Sequence, residues 1–273
     1  MSSSDDHAQH ARVQDRFTRT AQQFAKFSLS TRSAEAEHLV RLARPHLPQP
    51  KTALALDIAC GPGTFTLAFA AHVQKIVGLD LTPALLAQAR AAAVQGALSN
   101  VSFTCGDAAS LPFATASADL ASCAYALHHI PDPAGAIAEM SRVVRPGGFL
   151  ALVDLFVPSD PAQAELSNRI ERARDSSHTR TLSIPELRSL VESSGFRILT
   201  SETGERPRSF DDWMQIAGWS RSHGTADPAY IETRRLMESA IPGDAAGFRA
   251  AFSAGPGSDI SWVQTSLFLI ACA

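Results

Sequence analysis

A chain of 273 residues can hold one large or two small domains with a buried core, and 45% hydrophobic with 19% charged residues is an ordinary globular composition. A net charge of −3 and a pI near 6.3 leave no basic footprint for nucleic acid or an anionic membrane, so neither is expected as a partner. No apolar run approaches the ~20 residues that cross a bilayer, and polar Met1 to His10 lacks a signal-peptide core, so a cytoplasmic protein is expected.

Residues 1–7 are polar, small and terminal, and are expected to be disordered. From Ala8 to Phe27 the apolar residues Val13, Phe17, Ala21 and Phe24 fall on one stripe of a helix. Ser33 to His46 reads as a second helix, ended by Pro45 and Pro48, and residues 1–50 form a helical cap. Ala53 to Ile58 is a short apolar run, as expected of a strand buried on both faces. Gly61-Pro62-Gly63 ends it, and Thr64 to Ala71 reads as a helix. Strand, glycine turn and helix bring backbone N–H groups and a helix N-terminus to a polar ligand. Gly61 and Gly63 supply positive φ and close approach, and Asp57 can accept hydrogen bonds at the carboxyl end of the strand. Thr66 stands where a dinucleotide fingerprint needs its third glycine. Lys75 to Asp80 is the next strand, and Asp80 at its tip, 19 residues after Gly61, is placed for a ribose hydroxyl pair. The expected ligand is a nucleoside without the pyrophosphate cradle.

Thr82-Pro83 opens the next helix with Thr82 as N-cap, and Leu85, Leu86, Ala89 and Ala93 form its inner face. Val101 to Cys105 is a third strand, followed by Gly106-Asp107; Leu120 to Tyr125 is a fourth. Asp132-Pro133 starts a helix with Ile137, Met140 and Val144 inward, and Gly147-Gly148 leads into a fifth strand, Phe149 to Phe156. This alternation predicts a parallel, doubly wound α/β sheet. Beyond Val157 come a polar helix from Asp160-Pro161 to about Asp175, a polar loop at 176–180, and a capping box, Ser183 to Glu186, opening a helix to Ser194. Phe196 to Thr203 is a sixth strand and Trp262 to Ala271 the last. The core thus takes in 51–207 and 257–273. Residues 208–256 form a helical insertion with Trp213, Trp219, Tyr230, Phe248 and Phe252, about forty residues more than a hairpin needs. Cys60, Cys105, Cys123 and Cys272 lie in or beside apolar segments without C-x-x-C spacing, so they read as buried thiols, and no metal site is expected.

Leu54 to Gly63, Val77 to Asp80, Gly106-Asp107-Ala108 before Leu111-Pro112-Phe113, Asp119 to Tyr125, Leu127-His128-His129-Ile130 and Arg145-Pro146-Gly147-Gly148 occur in that order. The set resembles the class I S-adenosylmethionine-dependent methyltransferases, and within them the small-molecule group that includes the ubiquinone/menaquinone-biosynthesis enzymes. The resemblance covers about residues 50–156, with a weaker echo in 182–200. It is specific for the cofactor and not for the substrate. It implies a Rossmann-like sheet of seven strands, the seventh antiparallel between the fifth and sixth. It implies S-adenosylmethionine as cofactor and a small, hydrophobic or aromatic methyl acceptor. Asp80 would take the ribose, Leu81 the adenine face, and Asp107 the adenine amino group beside the Ala108 N–H. Ala59, Gly61 and Ala124 would meet the methionine portion by backbone, with Asp57 and Gly63 completing the set. For Asp107 a turn-forming role competes.

His128 and His129 fall at the rim after the fourth strand, where a proton-transfer role competes with structural hydrogen bonding. Asp154, ending the fifth strand, can touch substrate or hold a base. In relatives an N-terminal helix lies over the cofactor pocket, which makes Phe24 a lid residue alongside Phe17 or Phe27. Trp213 and Trp219 are substrate candidates against a plain core role. Methyl transfer from a sulfonium needs alignment and dryness more than a catalytic triad. Ala124-Tyr125-Ala126-Leu127 replaces the Asn/Asp-Pro-Pro-Tyr motif of nucleic-acid amino-methylation. A cofactor-binding protein without methyl transfer stays open as the alternative, as does monomer or homodimer.

Overall fold

The computed structural model describes residues 3–47, 52–219 and 227–273. The positions around Pro48, and 220–226 of the expected insertion, lie outside the described residues. Three helices open the chain: α1 (Ser3–Arg19), α2 (Ala21–Thr31) and α3 (Ser33–Ala43), the last running into a single 3-10 turn, Arg44–His46. Then follow β1 (Leu54–Ile58), α4 (Thr64–Ala70), β2 (Lys75–Asp80), α5 (Pro83–Gln95), β3 (Val101–Cys105) and β4 (Ala118–Ala124). The second half comprises α6 (Pro133–Val143), β5 (Val144–Leu155), α7 (Pro161–Arg174), α8 (Ile184–Ser193), β6 (Arg197–Ser209), α9 (Phe210–Ile216), α10 (Pro228–Ala240), β7 (Ala251–Phe252) and β8 (Ile260–Cys272). Among the described residues no helix is long and apolar enough to cross a membrane.

The strands form one sheet in the order β3-β2-β1-β4-β5-β8-β6, with β7 pairing on β8. β1 to β5 run parallel, and β8 lies antiparallel between β5 and β6. This is the expected sheet, with the two-residue β7 as an eighth member. Period-two alternation splits each central strand between two cores. Ala55, Leu120, Ala151 and Val153 face α3 and α4, whereas Leu56, Ala121, Leu150 and Leu152 face α6 and α8. A third core joins α7, α9, α10 and β8 through Ile170, Phe210, Trp213, Met237 and Trp262.

Four expectations change. Residues 3–7, read as disordered, are in α1. The helix expected from Ala8 to Phe27 breaks at Thr20, whose hydroxyl donates to the Arg16 carbonyl and competes with the helical ladder. β6 extends to Ser209 and pairs with β8 as far as Ser261, so the insertion between them spans 210–259. Of the four free thiols only Cys60 and Cys123 are buried; Cys105 ends the sheet's edge strand β3 and is exposed.

Gly78 seats the first turn on the sheet. A Cβ there would stand 2.7 Å from Phe103 Cδ1 and 2.8 Å from Cys60 Sγ. Gly78→Ala should therefore cost about 1–3 kcal/mol by overpacking. A urea titration should show the lower midpoint, and an unchanged one would mean the turn yields freely.

Candidate active site

The site forms where the strand order reverses, between the carboxyl ends of the parallel strands β1 and β4, the switch point at which such sheets bind ligands. The chain leaves β1 through Ala59 and Gly61, with φ of 54° and 55°. The Gly61 N–H donates to Asp80 Oδ2 at 2.8 Å, and the Thr82 N–H donates to Oδ1 at 2.8 Å. One carboxylate thus joins both strand-to-helix turns. Asp80 is 7% exposed, and burial raises its pKa against the pull of those two N–H groups. Thr82 sits at the N-cap, but its side chain does not cap α5; the Asp80 carboxylate bonds its N–H instead.

A cleft with a cavity volume of about 110 Å³ opens above this joint. Ala59, Gly61, Asp80, Leu81, Asp107, Ala108 and Ala124 line it, and so do Phe24 and His129. Gly61 presents bare backbone: a Cβ there would reach the cleft 3.8 Å from Phe24 Cε1. Asp107 forms the turn, accepting from the Ala109 N–H at 2.9 Å, and also lines the cleft, 3.5 Å from His10 Nε2. Val13 and Phe17 of α1 and Phe24 of α2 roof it.

Two expected cofactor residues do not line the cleft. Asp57 is sealed beneath the turn, where Thr66 Oγ1 donates at 2.5 Å and Ser122 Oγ at 2.7 Å; burial pushes its pKa to about 6. Gly63 turns toward α5, where a Cβ would lie 3.1 Å from Ala89 Cβ. Both shape the turn from behind.

The cleft continues inward. Phe17, Phe24, Arg32, Tyr125 and His129 belong both to it and to a second, smaller chamber of about 40 Å³ that reaches Trp213, Leu155, Arg208 and Gln264. Tyr125, absent from the expected set, stands at this junction with a φ of 54°, a strained conformation for a side chain of its size. Its hydroxyl bonds Ser266 Oγ at 3.1 Å.

The two histidines differ. His128 is buried with Nδ1 2.5 Å from Asp154 Oδ1; Asp154 stands behind it and lines neither chamber. His129 donates from Nδ1 to the Ser177 carbonyl at 3.0 Å, which leaves the lone pair on Nε2. Burial and the neighbouring His128 push its pKa down to about 3, so it is neutral. The polar loop at 176–180 forms a wall whose middle is buried: Ser177 and His178 are sealed, while Ser176 and Arg180 are exposed. Asp175 accepts from Arg16 Nε at 2.8 Å and from Ser177 Oγ at 2.6 Å, and the Arg16 guanidinium holds its carboxyl well below the usual range. Gln9 Nε2 donates to the Ser177 carbonyl at 2.6 Å. Hence α1 is fastened to this wall by two polar links.

Of the insertion tryptophans, Trp213 lines the inner chamber, packed on Trp262 with ring centroids 4.8 Å apart. Trp219 lines neither chamber, because its indole donates to the Arg174 carbonyl at 3.2 Å and packs on the third core.

A doubly wound sheet with a cleft at its switch point, a buried acid at the tip of β2 and no third glycine defines a binder of a nucleoside-type cofactor. Comparisons give the family. A profile described as a methyltransferase domain matches residues 56–152. The chain is 35% identical over 163 residues to the uncharacterized methyltransferase YcgJ of Bacillus subtilis (strain 168), covering 60% of this chain and 64% of that one. It is 30% identical over 152 residues to the uncharacterized protein YafE of Escherichia coli (strain K12), covering 56% and 73%. A demethylmenaquinone methyltransferase of Shouchella clausii (strain KSM-K16) is 31% identical over 115 residues, 41% of this chain and 49% of that one. The match thus spans just under two thirds of YcgJ and about half of the demethylmenaquinone enzyme. The crystal structure of YcgJ superposes with a TM-score of 0.78 at 28% identity, covering 86% of this chain and 97% of that one. The chain belongs to the S-adenosylmethionine-dependent methyltransferases.

The buried histidines set a pH dependence. His129 and His178 both have folded pKa values below the ordinary imidazole value. The unfolded chain therefore binds more protons below about pH 6.5, so their contribution is complete above that pH and is lost as pH falls. Asp57, shifted the other way to about 6, offsets part of this. Comparison with a variant isolates the imidazole. Unfolding free energy measured from pH 7.5 to 4.5 should fall less steeply in His129→Gln than in wild type, and equal slopes would contradict a buried neutral His129.

Proposed function

We propose that this protein transfers the methyl group of S-adenosylmethionine to a small, hydrophobic or aromatic acceptor bound in the inner chamber. The observation that carries the reading is the pair of chambers sharing Phe17, Phe24, Arg32, Tyr125 and His129. The outer one has the features a nucleoside donor needs, and the inner one has aromatic walls. S-adenosylmethionine supplies a methyl group already activated by its positively charged sulfur. The chain has to hold, align and dry the reactants.

The residues present fit that donor. Asp80 bonds two N–H groups, and a carboxylate with about four acceptor sites can also take ribose hydroxyls. Gly61 offers backbone without a side chain to block the methionine portion. Leu81, Leu85 and Ala108 give an apolar bed for the adenine, with Asp107 beside them for its amino group. On the acceptor side, the Nε2 lone pair of His129 suits receiving a hydrogen bond from an O–H or N–H. A neutral imidazole with so low a pKa is a weak base, so His129 orients the acceptor more than it removes a proton. Helix α1, tied down through Arg16 and Gln9, and α2, bonded to α4 through Ser28 and Thr64, exclude water from the junction. A relative named for demethylmenaquinone is compatible with a ring-bearing acceptor.

Purified protein given S-adenosylmethionine and a metabolite extract should produce S-adenosylhomocysteine and a compound heavier by one methylene. Donor binding without turnover on any acceptor would instead favour a cofactor-binding protein that transfers no methyl. Within an active system, His129→Gln should lower turnover by less than about tenfold. A thousandfold loss in a folded variant would make the imidazole a general base after all.

A further inference from the structure

The inner chamber carries charge that its own walls do not neutralise. Arg16 is paired with Asp175 at 2.8 Å, Arg174 with Glu171 at 3.2 Å, and Arg206 with Glu35 at 3.0 Å. Asp154 bonds His128 Nδ1 through one oxygen and acts on Arg32 only from beyond ion-pair distance. Arg32 and Arg208 are left over. Among the described residues no carboxylate lies within 4.0 Å of either guanidinium. Arg208 donates from Nε and a terminal nitrogen to one neutral acceptor, Gln264 Oε1, at 2.9 and 2.7 Å. Arg32, between α2 and α3, lies over the Tyr125 ring with Cζ 3.9 Å from its centroid. Both converge on Phe27, at 5.6 Å for Arg32 and 5.2 Å for Arg208.

We propose that Arg32 and Arg208 bind an anionic oxygen group, of the carboxylate type, on the methyl acceptor. The substrate class becomes an apolar or aromatic body carrying an acid. The inference rests on the methyl-transfer reading of the same site and replaces a neutral acceptor with a charged one.

Two half-buried guanidiniums that face a cavity with no carboxylate in direct contact, Glu35 and Asp154 acting on them only from beyond ion-pair distance, raise the energy of the empty protein. An incoming carboxylate relieves that cost and finds planar donors already aimed by Gln264 and by the aromatic faces. Burial, together with Arg206 and Arg32, lowers the pKa of Arg208 to about 10, which leaves it charged at neutral pH. The donor's own amino-acid carboxylate is the rival anion, since Arg32 lines both chambers. Arg208 lines only the inner one, so it answers to the acceptor.

The test uses 4-hydroxybenzoate and its neutral counterpart 4-hydroxybenzamide as probes, titrated calorimetrically with and without saturating S-adenosylhomocysteine. The acid should bind wild type about 10–100-fold more tightly than the amide. Arg208→Gln should erase that preference, and Arg208→Lys should keep part of it. S-adenosylhomocysteine affinity should stay within a few-fold in both variants. The wild-type comparison needs no variant, so a misfolded substitution does not shelter the proposal. Equal binding of acid and amide to wild type overturns it while leaving methyl transfer standing. A loss of S-adenosylhomocysteine affinity in Arg208→Gln equal to the loss of acid binding also overturns it, because the guanidinium would then serve the donor. Failure of wild type to bind S-adenosylhomocysteine at all removes the methyl-transfer reading and this inference together.

Discussion

Asp80 accepts one hydrogen bond from the turn after β1 and another from the turn after β2, and it does so almost out of contact with water. The arrangement fixes the distance between the glycine turn and the second strand tip, which is the width of the outer cleft. It also leaves a charge-bearing carboxylate at the cleft floor with acceptor sites to spare. Everything beneath it serves the same geometry. Asp57 clamps Thr66 and Ser122 from below, and Gly78 lets Cys60 sit directly on β2. These buried carboxylates have raised pKa values, so the site is assembled against a desolvation cost that packing elsewhere offsets.

The roof is held differently. Arg16, Gln9 and Asp175 connect α1 to the segment after α7 across more than a hundred residues of sequence. Because these links are buried and mutually satisfied, they hold α1 over the cleft with more direction than apolar contact alone gives. The same segment carries Ser177, which orients the His129 ring. Lid, wall and imidazole are therefore one hydrogen-bonded unit, and the junction between the chambers is shaped by it.

The sheet order and the walls of the outer cleft were legible in the sequence because they rest on local signals. Short apolar runs, Gly61-Pro62-Gly63 and an acid at the tip of β2 need no distant partner to be recognised. The inner chamber was not legible, for the converse reason. Nothing near Arg16 announces Asp175, and Ser177 and His178 sit in a polar run that a helix from the far end of the chain covers. The positive φ of Tyr125 leaves no mark on its neighbours. β6 was read short because its tail pairs only with β8, faces solvent along part of its length and so lacks an apolar run; Arg208 lay hidden in that tail. Trp213 and Trp219, alike in sequence, part company because only Trp219 has its indole N–H drawn to the Arg174 carbonyl, away from both chambers.

The measurement that bears most directly on the account is the affinity of S-adenosylhomocysteine for Asp80→Ala against wild type, by calorimetry, with circular dichroism to verify the fold. Removing a charged acceptor from the ribose and freeing the two turns should weaken binding by about 10–150-fold in a folded protein. An unchanged affinity in a folded Asp80→Ala variant would contradict the account, since the cleft would then not owe its cofactor site to this carboxylate.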